Sequence, residues 1–196
     1  MIESVKTLRG RAGEIKNGYK VFWKDLPYLA DCLFENWHDP LSSSRHLTQR
    51  NITEWQNLNS FFVRLTSKHF CPWLQLPILE LRNALECPQS RGEVMECRIW
   101  VATEWIIRCG DVLLHKLTGE DVFGRVALSL TTGPLCRNIR PLGVERWEFW
   151  KTRFHEIRND YQRLDLSLAI YLRMGDTLRR MSAAERDKAF LDRGYQ

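Results

Sequence analysis

The stretch from Val94 to Leu114 constrains the fold of this chain more than any other feature. It reads VMECRIWVATEWIIRCGDVLL, and apolar residues fall on almost every face of the helix that it would form. A helix that is apolar nearly all round is buried in a protein core, whereas a surface helix carries a single apolar stripe. Charged side chains interrupt the stretch too often for a segment that crosses a bilayer. We therefore predict the buried central helix of a helical domain, over about residues 94–115.

The segments on both sides of this helix carry apolar residues at helical spacing. No stretch of useful length alternates with the period of two that is typical of a strand. The spacing predicts a helix from near Asp25 to about Trp37 and further helices over about 46–68, 73–86 and 145–160. The apolar register of the last of these continues to Met174, with a kink as one option, and a last short helix runs from Ser182 to about Leu191. The predicted fold class is therefore all-α, a single-domain helical bundle of residues 1–196 around the central helix.

Two segments are expected to depart from the bundle. Residues 1–18 contain three glycines and are expected to fray, and residues 118–144 carry glycines and prolines that predict an irregular loop. Long irregular segments in compact domains are often lids or binding loops. The 118–144 segment is therefore one place where function is expected.

The charge pattern bears on the class of partner. The net charge is +5 and the sequence pI is about 9.0, and a basic surface is what nucleic-acid binding requires. Here, however, the basic residues alternate with acidic ones along the whole chain, and no basic arm is present. We predict a mixed solvated surface, with no nucleic-acid partner and no membrane partner.

The cysteines and histidines give no sign of a metal site. The six cysteines form no CxxC pair, and the five histidines are scattered without metal-ligand spacing. Reduced structural thiols in an intracellular protein are the expectation, and the N-terminus has no apolar segment of the kind that directs secretion. The sequence thus predicts a cytoplasmic protein that needs no metal and no cofactor.

No standard catalytic motif is present, so the catalytic candidates come from the central helix. They are Glu104 with Arg108, and Asp111 with His115, each pair separated by four residues and therefore on one helix face. A histidine beside a carboxylate can exchange protons with a substrate. The alternative for Glu104 and Arg108 is a structural ion pair, and for Asp111 and His115 it is a surface pair. Such structural roles are commoner than catalytic ones.

The aromatic content indicates a substrate-binding role. Large rings leave irregular gaps between helices unless they pack well, so a pocket lined by aromatic side chains is one interpretation. Core packing is the other, and it explains rings at helical spacing more often than a ligand does. For Asn59 the alternative is a structural hydrogen bond to a neighbouring helix end, and for Arg146 it is a cation on the helix surface. The substrate-binding candidates are Trp55, Asn59, Phe62, Trp100, Trp105, Arg146, Trp147 and Trp150.

Three stretches resemble one known family. They are EWQNLNSFFVRLT (54–66), ATEWIIRCGD (102–111) with the preceding LELRNALE (79–86), and GPLCRNIRPLGVERWEFWKTRF (133–154). Their order and spacing resemble a fungal family catalogued as a domain of unknown function, DUF3632. Its members typically show W-x-N-L/V-N-x-F-x-A-R-L-T, A-L-R-E-A-L-E, A-A-x-W-I-L-x-A-G and G-P-L-W…L-E-R-W-x-F-W-K-x-R-F. The resemblance covers roughly residues 50–160, and its last motif is long and specific.

The resemblance implies a fungal source, an all-helical fold and a setting in specialised metabolism, since genes of this family can lie in biosynthetic clusters. It implies no agreed catalytic residues. The chain departs from the family pattern at Cys136, where a tryptophan is usual, and at Cys109, where a small residue is usual. These departures leave the fold expectation unchanged.

Two functions from different classes follow as expectations. The first is a protein that binds an apolar small molecule in an aromatic-lined pocket. If it is an enzyme, we expect a cofactor-independent cyclisation or isomerisation of fungal specialised metabolism, achieved by holding the substrate near its reactive conformation. The second is a non-catalytic helical protein–protein interaction module, and a homodimer is compatible with either function. A large enclosed apolar pocket would favour the first, and a filled core with an exposed apolar patch would favour the second.

Overall fold

The structure is a computed structural model, and it describes residues 16–17, 20–21, 32, 35–42, 47–68, 75–88, 90–118 and 130–194. The chain divides into two compact units, Met1–Asn51 and Ile52–Gln196. The expected fraying of residues 1–18, apart from Lys16–Asn17, and much of the predicted loop, residues 119–129, lie outside the described residues. The same holds for most of the helix predicted from Asp25 to Trp37. The prediction of one domain for the whole chain stays a prediction.

The first unit contains short regular elements among its described residues. Two strands of two residues each, β1 (Lys16–Asn17) and β2 (Lys20–Val21), pair in antiparallel fashion. Pro40–Ser42 form one turn of 3-10 helix, and the carboxylate of Asp39 accepts the backbone N–H of Leu41 at 2.8 Å beside it. Strands of two residues are too short to change an all-α fold class.

The first long helix, α1 (Gln49–Ser67), begins at a reciprocal cap. The hydroxyl of Thr48 accepts the backbone N–H of Asn51 at 3.2 Å, and the side-chain oxygen of Asn51 accepts the backbone N–H of Thr48 at 3.1 Å. This arrangement gives hydrogen-bond partners to two amides that the start of a helix would otherwise leave unpaired.

The second unit is built from helices in its described part, which confirms the predicted fold class. Its helical elements are the rest of α1, then α2 (Gln75–Leu81), a π-helical turn (Arg82–Glu86), α3 (Gly92–Leu117), a 3-10 turn (Pro134–Cys136), α4 (Val144–Asn159) and α5 (Leu168–Gly194). None of the described helices is both long and apolar enough to cross a membrane.

Helix α3 is the central helix that the sequence predicts, and it extends slightly beyond the predicted bounds of 94–115. It packs chiefly against α5 and also against α2 and α4. Its buried side chains lie on nearly every face, including Ile99, Val101, Trp105 and Leu113. Because a helix surrounded by other helices has no solvent-facing side over most of its length, an apolar residue is favoured at almost every position.

Helix α5 corrects the prediction of a short last helix from Ser182. The helix is continuous from Leu168, and the buried residues Met174 and Met181 keep the helical period through that region. Its true start is set from outside the helix, since the carboxylate of Glu96 accepts both the N–H and the hydroxyl of Ser167, at 2.9 and 2.7 Å. Ser167 is also a local N-cap, because its hydroxyl accepts the backbone N–H of Ile170 at 3.3 Å, whereas its bonds to Glu96 leave no local sequence pattern.

The predicted helix over 73–86 ends differently from a regular α-helix. After α2 the chain widens into the π-helical turn Arg82–Glu86, and Glu86 at its end is completely buried. Single π-turns inside helices are rare and frequently mark positions where a side chain is redirected for a purpose. Here the redirected side chain is a carboxylate inside the core.

We expect Trp105→Ala to lower the free energy of unfolding by ~3–5 kcal/mol, because the ring is packed core rather than the wall of a water-filled space. Urea denaturation followed by circular dichroism measures the change. Leu191→Ala is the control, since Leu191 is exposed on α5 and should change stability by no more than ~0.5 kcal/mol. A near-neutral Trp105→Ala would contradict the core assignment of α3.

Candidate functional site

The aromatic candidates lie mostly in the hydrophobic core. Trp55 is 3% exposed, and Phe62, Trp105, Trp147 and Trp150 are fully buried. A ring that borders a space open to water keeps some accessible surface, so packing against the chain itself accounts for these five. The sixth, Trp100, is half-buried. It is the candidate ring that solvent, and hence a ligand, can reach.

The indole N–H groups of three buried tryptophans bind acceptors of the same chain. Trp105 donates to the side-chain oxygen of Asn59 at 3.1 Å, and Asn59 in turn donates to the backbone oxygen of Trp55 at 3.1 Å. The amide of Asn59 therefore forms the structural hydrogen bond that was one of its two interpretations, and this bond joins α1 to α3. The indole of Trp147 donates to Glu185 on α5 at 2.9 Å.

A fully buried ion pair joins Glu86 to Arg146 in the second unit. Both side chains have 0% exposure. The guanidinium donates to both carboxylate oxygens, from Nε at 2.7 Å and from Nη2 at 3.1 Å. The carboxylate oxygens of Glu86 also accept the backbone N–H of Gly133 at 2.6 Å and the indole N–H of Trp150 at 2.6 Å. Such full pairing is what the burial of two charges requires.

The other nitrogens of Arg146 hold the irregular segment before α4. Nη1 donates to the backbone oxygens of Leu130 and Pro141, at 2.6 and 2.7 Å, and Nη2 to that of Thr131 at 3.4 Å. The interpretation of Arg146 as a helix-surface cation is therefore wrong. It does contact an anion and carbonyl groups, but all of them belong to its own chain.

Two buried thiols lie beside these networks. Burial raises the pKa of Cys136 to about 11, and the nearby carboxylate of Glu86 adds to the effect. Burial likewise raises the pKa of Cys109 to about 12, and its thiol lies 3.6 Å from the backbone oxygen of Val63. A thiol with so high a pKa is a poor nucleophile at neutral pH, so both cysteines are packing residues.

A second polar network reaches the surface where α1, α3 and α5 meet. Glu104 on α3 accepts Nε of Arg108 at 2.5 Å, Nη2 of Arg173 on α5, and the hydroxyl of Ser60 on α1 at 3.2 Å. Arg64 donates to the Ser60 hydroxyl at 3.0 Å. We call the three arginines Arg64, Arg108 and Arg173, with Glu104 between them, the arginine cluster.

Arg173 is held in place by a ring as well as by the carboxylate. Its Nε donates to the hydroxyl of Thr103 at 2.7 Å, and its guanidinium lies 4.8 Å from the ring centroid of Trp100. Stacking of this kind is favourable because the face of an indole carries negative charge density. Trp100 therefore forms the aromatic edge of the arginine cluster.

The charge state of Glu104 follows from its neighbours. Burial alone would raise the pKa of this carboxyl, but the hydrogen bonds and positive charges of Arg108 and Arg173 outweigh it and lower the pKa below 4.5. The side chain is therefore a carboxylate at neutral pH. A carboxylate held in this way is a poor proton donor and a weak base, so the arrangement suits binding and positioning better than proton transfer.

The other predicted acid–base pair, Asp111 and His115, makes no hydrogen bond or ion pair with the arginine cluster among the described residues. Asp111 and His115 are both exposed on α3, and Asp111 lies 3.7 Å from Arg180 on α5. No group of three His, Cys, Asp or Glu side chains in the described part of the chain converges as metal ligands would. The expectation of a metal-free protein stays a prediction.

The predicted site residues omit several members of these two networks, among them Glu86, Arg173, Ser60 and Arg64. Glu86 and Arg173 looked like ordinary charged positions of amphipathic helices, and their partners lie 60 and 69 residues away along the chain. Ser60 and Arg64 are separated by four residues on α1, which is the one local signal that could have indicated a polar pair there.

The comparison with protein families gives one result that covers most of the chain. The sequence model of a family described as protein of unknown function, DUF3632, matches residues 1–154. No curated protein and no solved structure matches the chain. The matched residues include Glu86, Arg146 and Glu104, whereas Arg173 lies beyond them.

We expect Gly133→Ala to destabilise the protein by ~1–3 kcal/mol, the usual cost of overpacking. A Cβ atom at this position would lie 2.7 Å from both the Cβ and the backbone oxygen of Glu86, so the pair with Arg146 would have to shift. Thermal or urea unfolding measures the change.

Gly110→Ala on α3 is the matched control for that substitution. Its added Cβ would meet the nearest atom, on Trp147, at an ordinary contact distance of 3.6 Å. Alanine restricts the unfolded chain more than glycine does, so we expect a gain of roughly 0.5–1 kcal/mol. Equal effects of the two substitutions would contradict the close approach of Gly133 to Glu86.

Proposed function

The chain belongs to the DUF3632 family, and since that family carries no known activity, we propose a function from the geometry alone. We propose that the protein binds a small molecule with an anionic group, and that the arginine cluster is the binding site. This proposal keeps the predicted class of small-molecule binding and moves the site from the buried aromatic rings to the surface where α1, α3 and α5 meet.

The observation that carries the proposal is a surplus of positive charge around Glu104. One guanidinium is enough to neutralise a buried carboxylate, yet three arginines from three helices gather at this one. Asp111 does not remove the surplus, because its own ion pair is with Arg180. Like charges held close together repel, and a purely structural ion pair has no need of them. Surplus charge of one sign raises the local concentration of ions of the opposite sign, which favours anion binding here.

The donors of the cluster are accessible. The side chain of Arg108 is 46% exposed, and only its Nε has a hydrogen-bond partner among the described residues. Arg64 is exposed as well, and Arg173 is partly so. Guanidinium N–H groups that face solvent in a fixed direction can bind a carboxylate, sulfonate or phosphate through charge-assisted hydrogen bonds.

The aromatic edge of the cluster suggests the rest of the ligand. Trp100 presents part of its ring to solvent beside Arg173. An apolar body attached to the anionic group would bury apolar surface against that ring, which adds to binding in proportion to the area covered. We therefore propose a ligand that combines an anionic group with an apolar or aromatic body, in a cytoplasmic protein as the sequence predicts.

Catalysis enters this proposal in one form only. Because the pKa of Glu104 is lowered, acid–base chemistry by that side chain has little support. A cofactor-independent cyclisation, in which the site holds an anionic substrate near its reactive conformation, is the enzymatic form of the proposal.

The test is a titration with a fluorescent anilinonaphthalene sulfonate, which carries one anionic group on an aromatic body. We expect saturable binding that Arg108→Gln weakens about tenfold, since a hydrogen bond to a charged group contributes roughly 1.5–3 kcal/mol. Arg163→Gln is the matched control, because Arg163 is a 71% exposed arginine whose ion pair is with Asp160 rather than with the cluster. Circular dichroism confirms that both variants are folded. Equal affinities of the two variants, or no saturable binding, would exclude the cluster as the site.

A second candidate, the protein–protein interaction module, is favoured by an apolar patch at the start of α5. Leu168 and Leu172 are 60% and 58% exposed and lie one helical turn apart. Tyr171 beside them contacts Tyr161, with ring centroids 4.7 Å apart. Neighbouring exposed leucines are unfavourable in water and are a feature of protein interfaces, a homodimer interface among them.

This candidate predicts that wild-type protein sediments as a dimer and that the double variant Leu168→Glu/Leu172→Glu sediments as a monomer. Leu191→Glu is the control, since Leu191 is equally exposed near the opposite end of the same helix. Sedimentation velocity at several concentrations measures the assembly state. A monomeric wild type across those concentrations would rule out the homodimer.

A further inference from the structure

We propose that the anionic group bound by the arginine cluster is a phosphate monoester in its dianionic form, on a soluble small molecule. The inference rests on the proposed function of the same site and adds the chemical class of the ligand. Two observations support this inference: the net charge of the arginine cluster, and the position of its arginines on three different helices.

The charge argument starts from the surplus in the cluster. Arg64, Arg108 and Arg173 bring three positive charges, and Glu104 brings one negative charge. Arginine stays protonated throughout the physiological range, and the lowered pKa of Glu104 keeps it ionised. The surplus is therefore two charges. A dianion neutralises it fully, whereas a carboxylate or sulfonate leaves one positive charge without a counterion.

The geometry argument concerns where the arginines come from. They stand on three different helices, and the two that bind Glu104 directly use one nitrogen each for that contact, Nε of Arg108 and Nη2 of Arg173. Nε of Arg173 donates to Thr103, which leaves Nη1 of Arg173 and both terminal nitrogens of Arg108 without a hydrogen-bond partner among the described residues. A planar carboxylate is matched by a single guanidinium fork, but a phosphate monoester offers three acceptor oxygens in a tetrahedral arrangement and can take donors from several sides.

Glu104 acts in this site as a positioning residue. It binds Arg108 and Arg173 through opposite carboxylate oxygens and reaches Arg64 through the Ser60 hydroxyl. Without it three mobile and mutually repelling side chains would spread into solvent. The ligand would then have to order them at the cost of their side-chain entropy.

The experiment compares three probes that share a phenyl body: phenyl phosphate, benzenesulfonate and benzoate, titrated calorimetrically into the full chain at constant ionic strength. At about pH 7.5 a phosphate monoester is a dianion, because its second pKa is near 6. We expect phenyl phosphate to bind about tenfold more tightly than either monoanion at this pH. Its advantage should disappear as the pH falls to about 5, where it becomes a monoanion.

The pH profile has to be assigned to the ligand rather than to the protein. Charged and titratable groups near the cluster in sequence include Asp111 and His115 on α3, Asp176 and Arg180 on α5, and Lys68 directly after α1. His115 is the one histidine on these three helices, and we assign the pH profile to the ligand rather than to this side chain. The variant His115→Gln should therefore keep the phenyl phosphate profile. Benzenesulfonate, which stays a monoanion, reports any residual contribution from the protein.

Substitutions then test whether the preference for phenyl phosphate arises at the arginine cluster. Arg108→Gln and Arg64→Gln should each remove most of the difference between phenyl phosphate and benzenesulfonate, and Arg163→Gln should leave it unchanged. Vesicles that contain phosphatidic acid serve as a separate arm, since a lipid headgroup carries the same phosphate monoester. If the protein bound those vesicles but not phenyl phosphate, the proposal of a soluble ligand would be wrong.

The remaining outcomes separate this inference from the function on which it rests. Equal binding of all three phenyl probes, lost in Arg108→Gln, would overturn the dianion and leave the anion-binding function in place. A phenyl phosphate preference that persists in His115→Gln and disappears in Arg108→Gln supports both. No binding of any probe to the wild-type protein would overturn both.

Discussion

The buried contact between Glu86 and Arg146 is the interaction on which the order of the second unit depends. Two opposite charges without solvent are stable only when every donor and acceptor finds a partner. Here those partners come from the π-helical turn, the segment before α4, and α4 itself. The cost of leaving any of them unpaired therefore couples three separate pieces of chain. The π-turn after α2 has its explanation in the same contact, because it brings Glu86 into the core.

Glu104 shows what the same chemistry does near the surface. Like Glu86 it is buried and binds a guanidinium on another helix, but its cluster contains more arginines than neutrality requires and opens to solvent. In the first network every nitrogen of the arginine has a protein acceptor, whereas in the second the terminal nitrogens of Arg108 have none among the described residues. One network is saturated and the other retains unused binding capacity. That difference, rather than the residue types, distinguishes a structural ion pair from a candidate site.

The sequence is enough to predict α3, because its apolar residues on every face have only one low-energy placement, at the centre of other helices. It also indicates Glu104 and Arg108, because residues four apart on a helix meet regardless of the tertiary fold. It cannot indicate Arg173, since that pairing depends on how α5 lies along α3. Ser167 caps the start of α5 through the N–H of Ile170, a local signal that the sequence reasoning overlooked, whereas the added bonds to Glu96, 71 positions away, cannot be predicted from the sequence. The aromatic rings were recognised as important, but periodicity alone does not separate a ring in the core from a ring on a pocket wall.

The backbone carbonyls bound by Arg146 have a consequence for how this chain can vary in length. Leu130 and Thr131 at one end, and Pro141 at the other, are held by one side chain, so the ends of the intervening loop stay fixed whatever its middle contains. Arg137, Asn138 and Arg140 between them are exposed. Extra residues inserted there would lengthen a closed surface loop, which raises the entropy cost of loop closure only slowly. An insertion next to Gly133 would instead separate the loop from Glu86. The loop is therefore a natural place to attach a label or a peptide tag without disturbing the helices.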